Sequence, residues 1–208
     1  MNPTLLIGTT LIALGLVACK NPADKTADAS VKEAVAKSDS GPQDGVKYAF
    51  TEQSKIGFVG SKVTGSHNGG FKKFTGYFTV KDGKPVGNEH KVVIDMGSTW
   101  SDAEKLTGHL KSPDFFDVEK HPKATFDVTE LKENSPGNYT VSGNFSLHGV
   151  EKNISFPAIV SQNGDAVTID AKFDINRKDF GINYPGKVDD LIRDEVVIEL
   201  DLEAKPQS

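Results

Sequence analysis

The chain of 208 residues carries 24 Lys+Arg against 29 Asp+Glu, a formal net charge of -5, which fits one ordinary domain plus tails. With no basic cluster to neutralise a phosphate backbone, nucleic acid is not an expected partner. Its 20 Gly and 10 Pro beside 37% hydrophobic residues suit a turn-rich β protein, and a single cysteine excludes an intramolecular disulfide and a cysteine-built zinc cage.

Leu5 to Val17 is an apolar run interrupted only by Gly and Thr, too short to span a bilayer comfortably as a helix, and it reads as a signal-peptide core. It ends in Leu16-Val17-Ala18-Cys19, which is similar to a bacterial lipobox. Residues 1–18 are therefore expected to be a lipoprotein signal peptide, although they hold no Lys or Arg, and Cys19 the acylated mature N-terminus. Two or more acyl chains are what stable anchoring takes. Residues 20–46 contain no aromatic side chain and are rich in Lys, Asp, Ala and Ser, so 19–46 is expected to be a lipidated flexible tether and 47–205 the folded domain.

Within that domain, alternation of apolar and polar residues marks eight half-buried strands. They lie around Ile56 and Phe58, then Phe74 to Val80 with Phe78 inward, Val92 to Met96 with Ile94, Ala124 to Val128 with Phe126, and Tyr139 to Leu147 with Phe145. The series ends with Ile154 to Val160 around Phe156, Val167 to Ile175 around Phe173, and Val196 to Leu202. Turn sequences at Asp82-Gly83, Pro136-Gly137-Asn138 and Asn163-Gly164 make neighbours antiparallel. The expected fold is all-β, an eight-stranded antiparallel barrel, with a two-sheet sandwich as the rival. One helix is expected to start at Ser101-Asp102-Ala103-Glu104 through a capping box, with Leu106 and Leu110 on one face. Ser112-Pro113 ends it, and Phe115 and Phe116 follow as an aromatic pair suited to plug or cover a barrel mouth.

Chemistry-bearing motifs are few. His67, His90, His109, His121 and His148 stand far apart in sequence, so no metal site and no zinc enzyme is expected, and each reads as a loop or rim residue. No nucleophile motif is present. Gly65-Ser66-His67-Asn68-Gly69-Gly70 is glycine-rich, but no Gly-Lys-Ser/Thr follows it, and it reads as a wide hairpin connection. Catalysis is not expected. Whether the many phenylalanines fill a solid core or line a tunnel is left open by periodicity alone.

Four stretches resemble the YceI-like family. His109-Leu110-Lys111-Ser112-Pro113-Asp114-Phe115-Phe116-Asp117 with His121-Pro122-Lys123-Ala124-Thr125-Phe126 is similar to its helix-region signature, Tyr139 to Val150 to one of its strands, Asn176-Arg177-Lys178-Asp179-Phe180-Gly181-Ile182 to its Asn-Arg-x-Asp-Phe-Gly element, and Val196 to Leu202 to its closing strand. The resemblance spans about residues 48–204. It implies a lipocalin-like barrel whose interior holds a polyisoprenoid or an isoprenoid quinone without catalysis and with no other cofactor. Phe115, Phe116, Phe126, Phe145, Arg177, Phe180 and Ile182 carry over by position. Phe58, Phe74, Phe78, Ile94, Met96, Leu106, Leu110, Phe156 and Phe173 join them as expected ligand contacts. For Arg177 an ion pair with Asp179 or Asp190 is the alternative role. Gln53 and Lys62 stand where the family commonly has histidines. The implied protein is a lipid-anchored carrier in the bacterial envelope, attached through acylated Cys19. Lys20 in place of an inner-membrane retention aspartate favours the periplasmic side of the outer membrane. A packed, partner-binding surface lipoprotein is the competing role.

Overall fold

Strand-forming alternation from Val46 onward produces a wall that closes on itself. The computed structural model describes residues 21–36, 44–87 and 89–207, so the segment expected to be a signal peptide and Cys19, the expected acylation site, lie outside the described residues. In chain order the strands are β1 (Ala27–Asp28), β2 (Ser30–Glu33), β3 (Val46–Phe50), β4 (Lys55–Lys62), β5 (Gly65–Phe71), β6 (Phe74–Lys81), β7 (Lys84–Pro85), β8 (Lys91–Asp95) and β9 (Thr99–Ser101). Helix α1 (Glu104–Lys111) precedes β10 (Lys123–Ser135), β11 (Asn138–Leu147), β12 (Val150–Asn163), β13 (Ala166–Asn176), β14 (Gly186–Lys187), β15 (Asp190–Leu191) and β16 (Glu195–Pro206).

Three pairs of these segments act as single bent strands. β3 pairs with β6 through Ala49↔Tyr77 and β4 with β5 through Ile56↔Phe71, almost one continuous register. β8 and β9 likewise run along β6 and β5. Counted this way, eight antiparallel strands follow one another up and down. The ring closes where β16 pairs with β13 on one side and with β3 and β4 on the other. Closure leaves the barrel strands no free edge to template aggregation. The eight-stranded, lipocalin-like antiparallel barrel, with one short α-helix among the described residues, is therefore the observed fold.

Three expectations are corrected. The glycine-rich stretch from Gly65 is not a loop but strand β5. Its alternation is hidden because a Cβ at Gly69 would lie 2.3 Å from the Phe58 ring, so the inward position is filled by a neighbour's aromatic side chain. The tether expectation fails for residues 21–36. β12 and β13 pair with each other only between Ile159–Asn163 and Ala166–Asp170, and where they diverge the N-terminal segment fills the seam. There β1 runs parallel to β13 at Phe173 and Asp174, while β2 runs antiparallel to β12 from Lys152 to Ser155. Ala29 and Val31 pack on the core, and backbone hydrogen bonding replaces the aromatic content the segment lacks. Finally, α1 has no capping box. Ser101 belongs to β9, its hydroxyl donates to Ala103 O at 2.8 Å, and its N–H donates to the Thr107 hydroxyl at 2.8 Å. The first turn is held by Thr107 rather than by Ser101 and Glu104.

Candidate functional site

Inward-facing side chains of the barrel do not meet across the axis everywhere. Three chambers of about 110, 90 and 80 Å³ follow one another along it, each presenting a wholly apolar surface. A water needs roughly 10–15 Å³ of such space, so these are true hollows. The first and second chambers share Phe71, Ile94, Phe145, Ile175 and Ile198, and the second and third share Val92, Phe126, Phe156, Leu200 and Leu202. Aromatic rings set the narrow points. Phe156 and Phe173 stack at 4.1 Å, Phe126 leans on Phe156 at 5.6 Å, and Phe58, Phe71 and Phe116 form a triangle about the first chamber.

Beside the first chamber lies a wetter cavity of about 290 Å³, lined partly by the same Phe58, Leu110, Phe115 and Ile192, and also by Lys62, His67, His109, Tyr184, Lys187 and Asp190. It is the mouth, and α1 forms its side. The His109 ring sits edge-on between Phe115 and Tyr184, 4.9 Å from each, and its Nε2 lies 2.8 Å from Asp114 Oδ2. Lys62 pairs with Asp190, whose carboxyl is held below the usual carboxylate range by that ammonium and by the Thr64 hydroxyl and N–H. Asp102 is lowered as well, first by the Asn68 N–H and then by His67, 2.7 Å away. The rim carries exposed apolar side chains, Val63 (53%), Leu191 (49%) and Val188 (98%).

Most of the expected contacts line the chambers. Phe58, Ile94, Met96, Leu110, Phe115, Phe116, Phe145, Arg177 and Ile182 surround the first, Phe126, Phe156 and Phe173 the second, and Phe78 the third. Three do not. Phe180 is fully buried behind Phe145, 5.2 Å between centroids, Phe74 borders an outer depression with Trp100, and Leu106 lies in the mouth. Sequence reading missed Phe71, which touches two chambers, because it ends the glycine-rich strand.

Arg177 is 4% exposed. Its Nε donates to Arg193 O at 3.1 Å, one terminal nitrogen to Ile182 O at 2.7 Å and the other to Asp194 Oδ1 at 3.0 Å. Burial lowers its pKa and Asp194 opposes the shift, so Asp194, not Asp179 or Asp190, is its ion partner. The guanidinium supports the wall between the Arg177–Phe180 turn and the start of β16. His90 is also corrected from rim to interior, its Nδ1 accepting from Thr79 N–H at 3.2 Å and its Nε2 lying 2.9 Å from Gly87 O. His121 and His148, distant in sequence, meet Asp117 near the first chamber, with ligand atoms all within 4.8 Å of one another.

A YceI-like domain profile matches residues 48–204. A UPF0312 protein of Pseudomonas putida is 30% identical over 165 residues, covering 74% of this chain and 85% of that protein. Among solved structures, BcnA of Burkholderia cenocepacia superposes with a TM-score of 0.68 at 25% identity, covering 74% of this chain and 97% of that one. A domain from Saccharophagus degradans, described as polyisoprenoid-binding and implicated in plant cell wall breakdown, superposes at 0.65 with 18% identity, covering 78% and 99%.

Proposed function

The chain belongs to the YceI-like family, and on that premise we propose that it is a binding protein that shelters one long apolar chain, a polyisoprenoid or an isoprenoid quinone, in its line of chambers. The observation that carries this reading is the succession of apolar hollows that share walls along the barrel and lie next to a polar mouth. Burying a CH₂ yields about 0.8 kcal/mol, whereas association costs about 4–15 kcal/mol. A ligand must therefore fill several chambers, which a slender branched hydrocarbon does and a compact one does not. The polar pairs at the mouth, Lys62 with Asp190 and His109 with Asp114, suit a polar head group left near water. The Saccharophagus degradans domain, described as polyisoprenoid-binding, shares the barrel. The apolar surface that the chambers expose supports storage or carriage without a chemical step.

The same proposal includes an anchor at Cys19 in the periplasmic leaflet of the outer membrane. Ser61, at the mouth, donates to Asn21 Oδ1 at 3.3 Å, so the first described residue of the chain is held beside the opening. Val63, Val188 and Leu191 surround that opening with apolar surface fit for a lipid interface. A barrel held mouth-down takes its ligand from the bilayer without exposing it to water. The test is organic extraction of the full-length protein purified from membranes, with the C19S variant alongside. A prenyl compound recovered in stoichiometric amount, and release of C19S from the membrane fraction, are the expected results. Repeated recovery of empty protein that takes up no added prenyl chain would overturn the carrier reading, and C19S remaining membrane-bound the anchor.

A further inference from the structure

We propose that Asp117, His121 and His148 form a site for one divalent transition-metal ion of the zinc type, separate from the apolar chambers. The three come from two separate connections. Asp117 and His121 lie between α1 and β10, and His148 in the turn joining β11 to β12. Their ligand atoms lie within 4.8 Å of one another, and zinc with nitrogen and oxygen ligands at about 2.0–2.2 Å needs pairs about 3.3 Å apart. Small rotations of the two half-buried imidazoles close that difference.

Several features prepare the cluster. His148 Nδ1 lies 3.2 Å from Phe180 O, and because a carbonyl oxygen only accepts, Nδ1 carries the proton and Nε2 keeps the lone pair for a metal. A backbone carbonyl on the far nitrogen is the usual orienting partner of a ligating histidine. Asp117 (φ 43°) and His148 (φ 53°) are two of only three non-glycine residues in the left-handed region among the described residues. Such backbone is uncommon and clusters at functional sites. Gly149 (φ 78°) completes the fit. A Cβ there would come within 2.6 Å of His121 Cε1, so only glycine leaves room for that ring over the turn.

The donor set selects the ion. Two imidazoles and one carboxylate are too few oxygens for calcium and suit zinc, copper or nickel, with an open position left for water. Lys120 Nζ, on a largely exposed side chain, lies 2.9 Å from Asp117 Oδ2 and marks the place of a positive charge that a dication can take over. Bound metal would tie the loop carrying Phe115 and Phe116 to the turn after Leu147, all three of which line the first chamber.

The test uses the full chain stripped with a chelator and titrated with zinc chloride by calorimetry and with Co²⁺ by visible absorption. One equivalent bound, a tetrahedral Co²⁺ spectrum and a rise of a few degrees (~) in the unfolding midpoint are expected. H121F keeps a ring over Gly149 and H148N keeps a residue that tolerates positive φ, and each should weaken binding at least about tenfold. Equal binding by the H121F/H148N double variant, or an octahedral aqua-ion spectrum throughout, overturns the proposal. An independent reading needs no variant. Zinc should shift the imidazole NMR signals of His121 and His148 together, and shifts confined to His67 or His109 overturn it.

Discussion

Replacing Ile175 and Ile198 together with phenylalanine should shorten the chain that the barrel accepts. Both line the neck between the first and second chambers, on the paired strands β13 and β16, with Ile198 facing Phe173 and Ile175 facing Val196 in register. Their added atoms enter space that is empty, so the double variant should lose no more than about 1 kcal/mol of stability. In a core already full, overpacking costs about 1–3 kcal/mol. A tail stopped at the neck forfeits everything beyond it. One five-carbon unit is worth roughly 4 kcal/mol at about 0.8 per CH₂, close to a thousandfold in affinity. Competition titration with prenyl chains of increasing length gives the comparison. Wild type should bind more tightly with each added unit until the third chamber is filled, whereas the variant should stop gaining after the first. Parallel losses at every length, or a wild-type affinity indifferent to length, would refute the reasoning.

Other expectations concern the wall. T26A removes a 2.6 Å hydrogen bond from the Thr26 hydroxyl to buried Asp174 Oδ2, and should cost about 1–3 kcal/mol, read as faster amide exchange in β1 and β2. Burial, with Asp28 and Glu195 nearby, raises the Asp174 pKa against the opposing Thr26 bond. The native state therefore holds that proton more tightly than the unfolded chain, and the carboxylate costs stability at neutral pH, a cost that fades as pH falls through the raised value. D174N should stabilise at pH 7 and lose its advantage on acidification, followed by urea unfolding. A benefit that grows on acidification would reverse the sign. R177A leaves two carbonyls without their donor and Asp194 with Lys178 alone, and should cost about 1–3 kcal/mol, and R177K should also destabilise because one ammonium cannot reproduce the three-way fork. Chemical denaturation measures both.

Sequence made the meander legible because the long strands alternate over most of their length and their turns carry Gly, Asn or Pro, as at Asn163-Gly164 between β12 and β13. Where a neighbour supplies the inward group, the signal vanishes. β5 has glycine beneath the Phe58 ring, and β1 and β2 owe their place chiefly to backbone pairing with β13 and β12, with few apolar side chains of their own such as Val31. Ser101 and Glu104 match a capping box in spacing, yet Ser101 belongs to β9 and the helix starts only at Glu104, with Ala103 as its N-cap. Alternation tells which side chains point inward but not how far apart opposite walls stand, so Phe145 and Phe156 as linings, and Phe180 as packing, needed coordinates. Arg177 with Asp194, and Asp117 with His121 and His148, are meetings of separate turns that no local spacing encodes.

The most direct measurement is a methyl-labelled NMR titration of the protein with a long polyprenyl alcohol, observing contacts from ligand protons. Ile198, Leu200 and Leu202 should all show them in one complex, because together they border all three chambers. Contacts limited to Val63, Val188 and Leu191 on the rim, with the interior methyls unmoved, would contradict a threaded hydrocarbon inside the barrel.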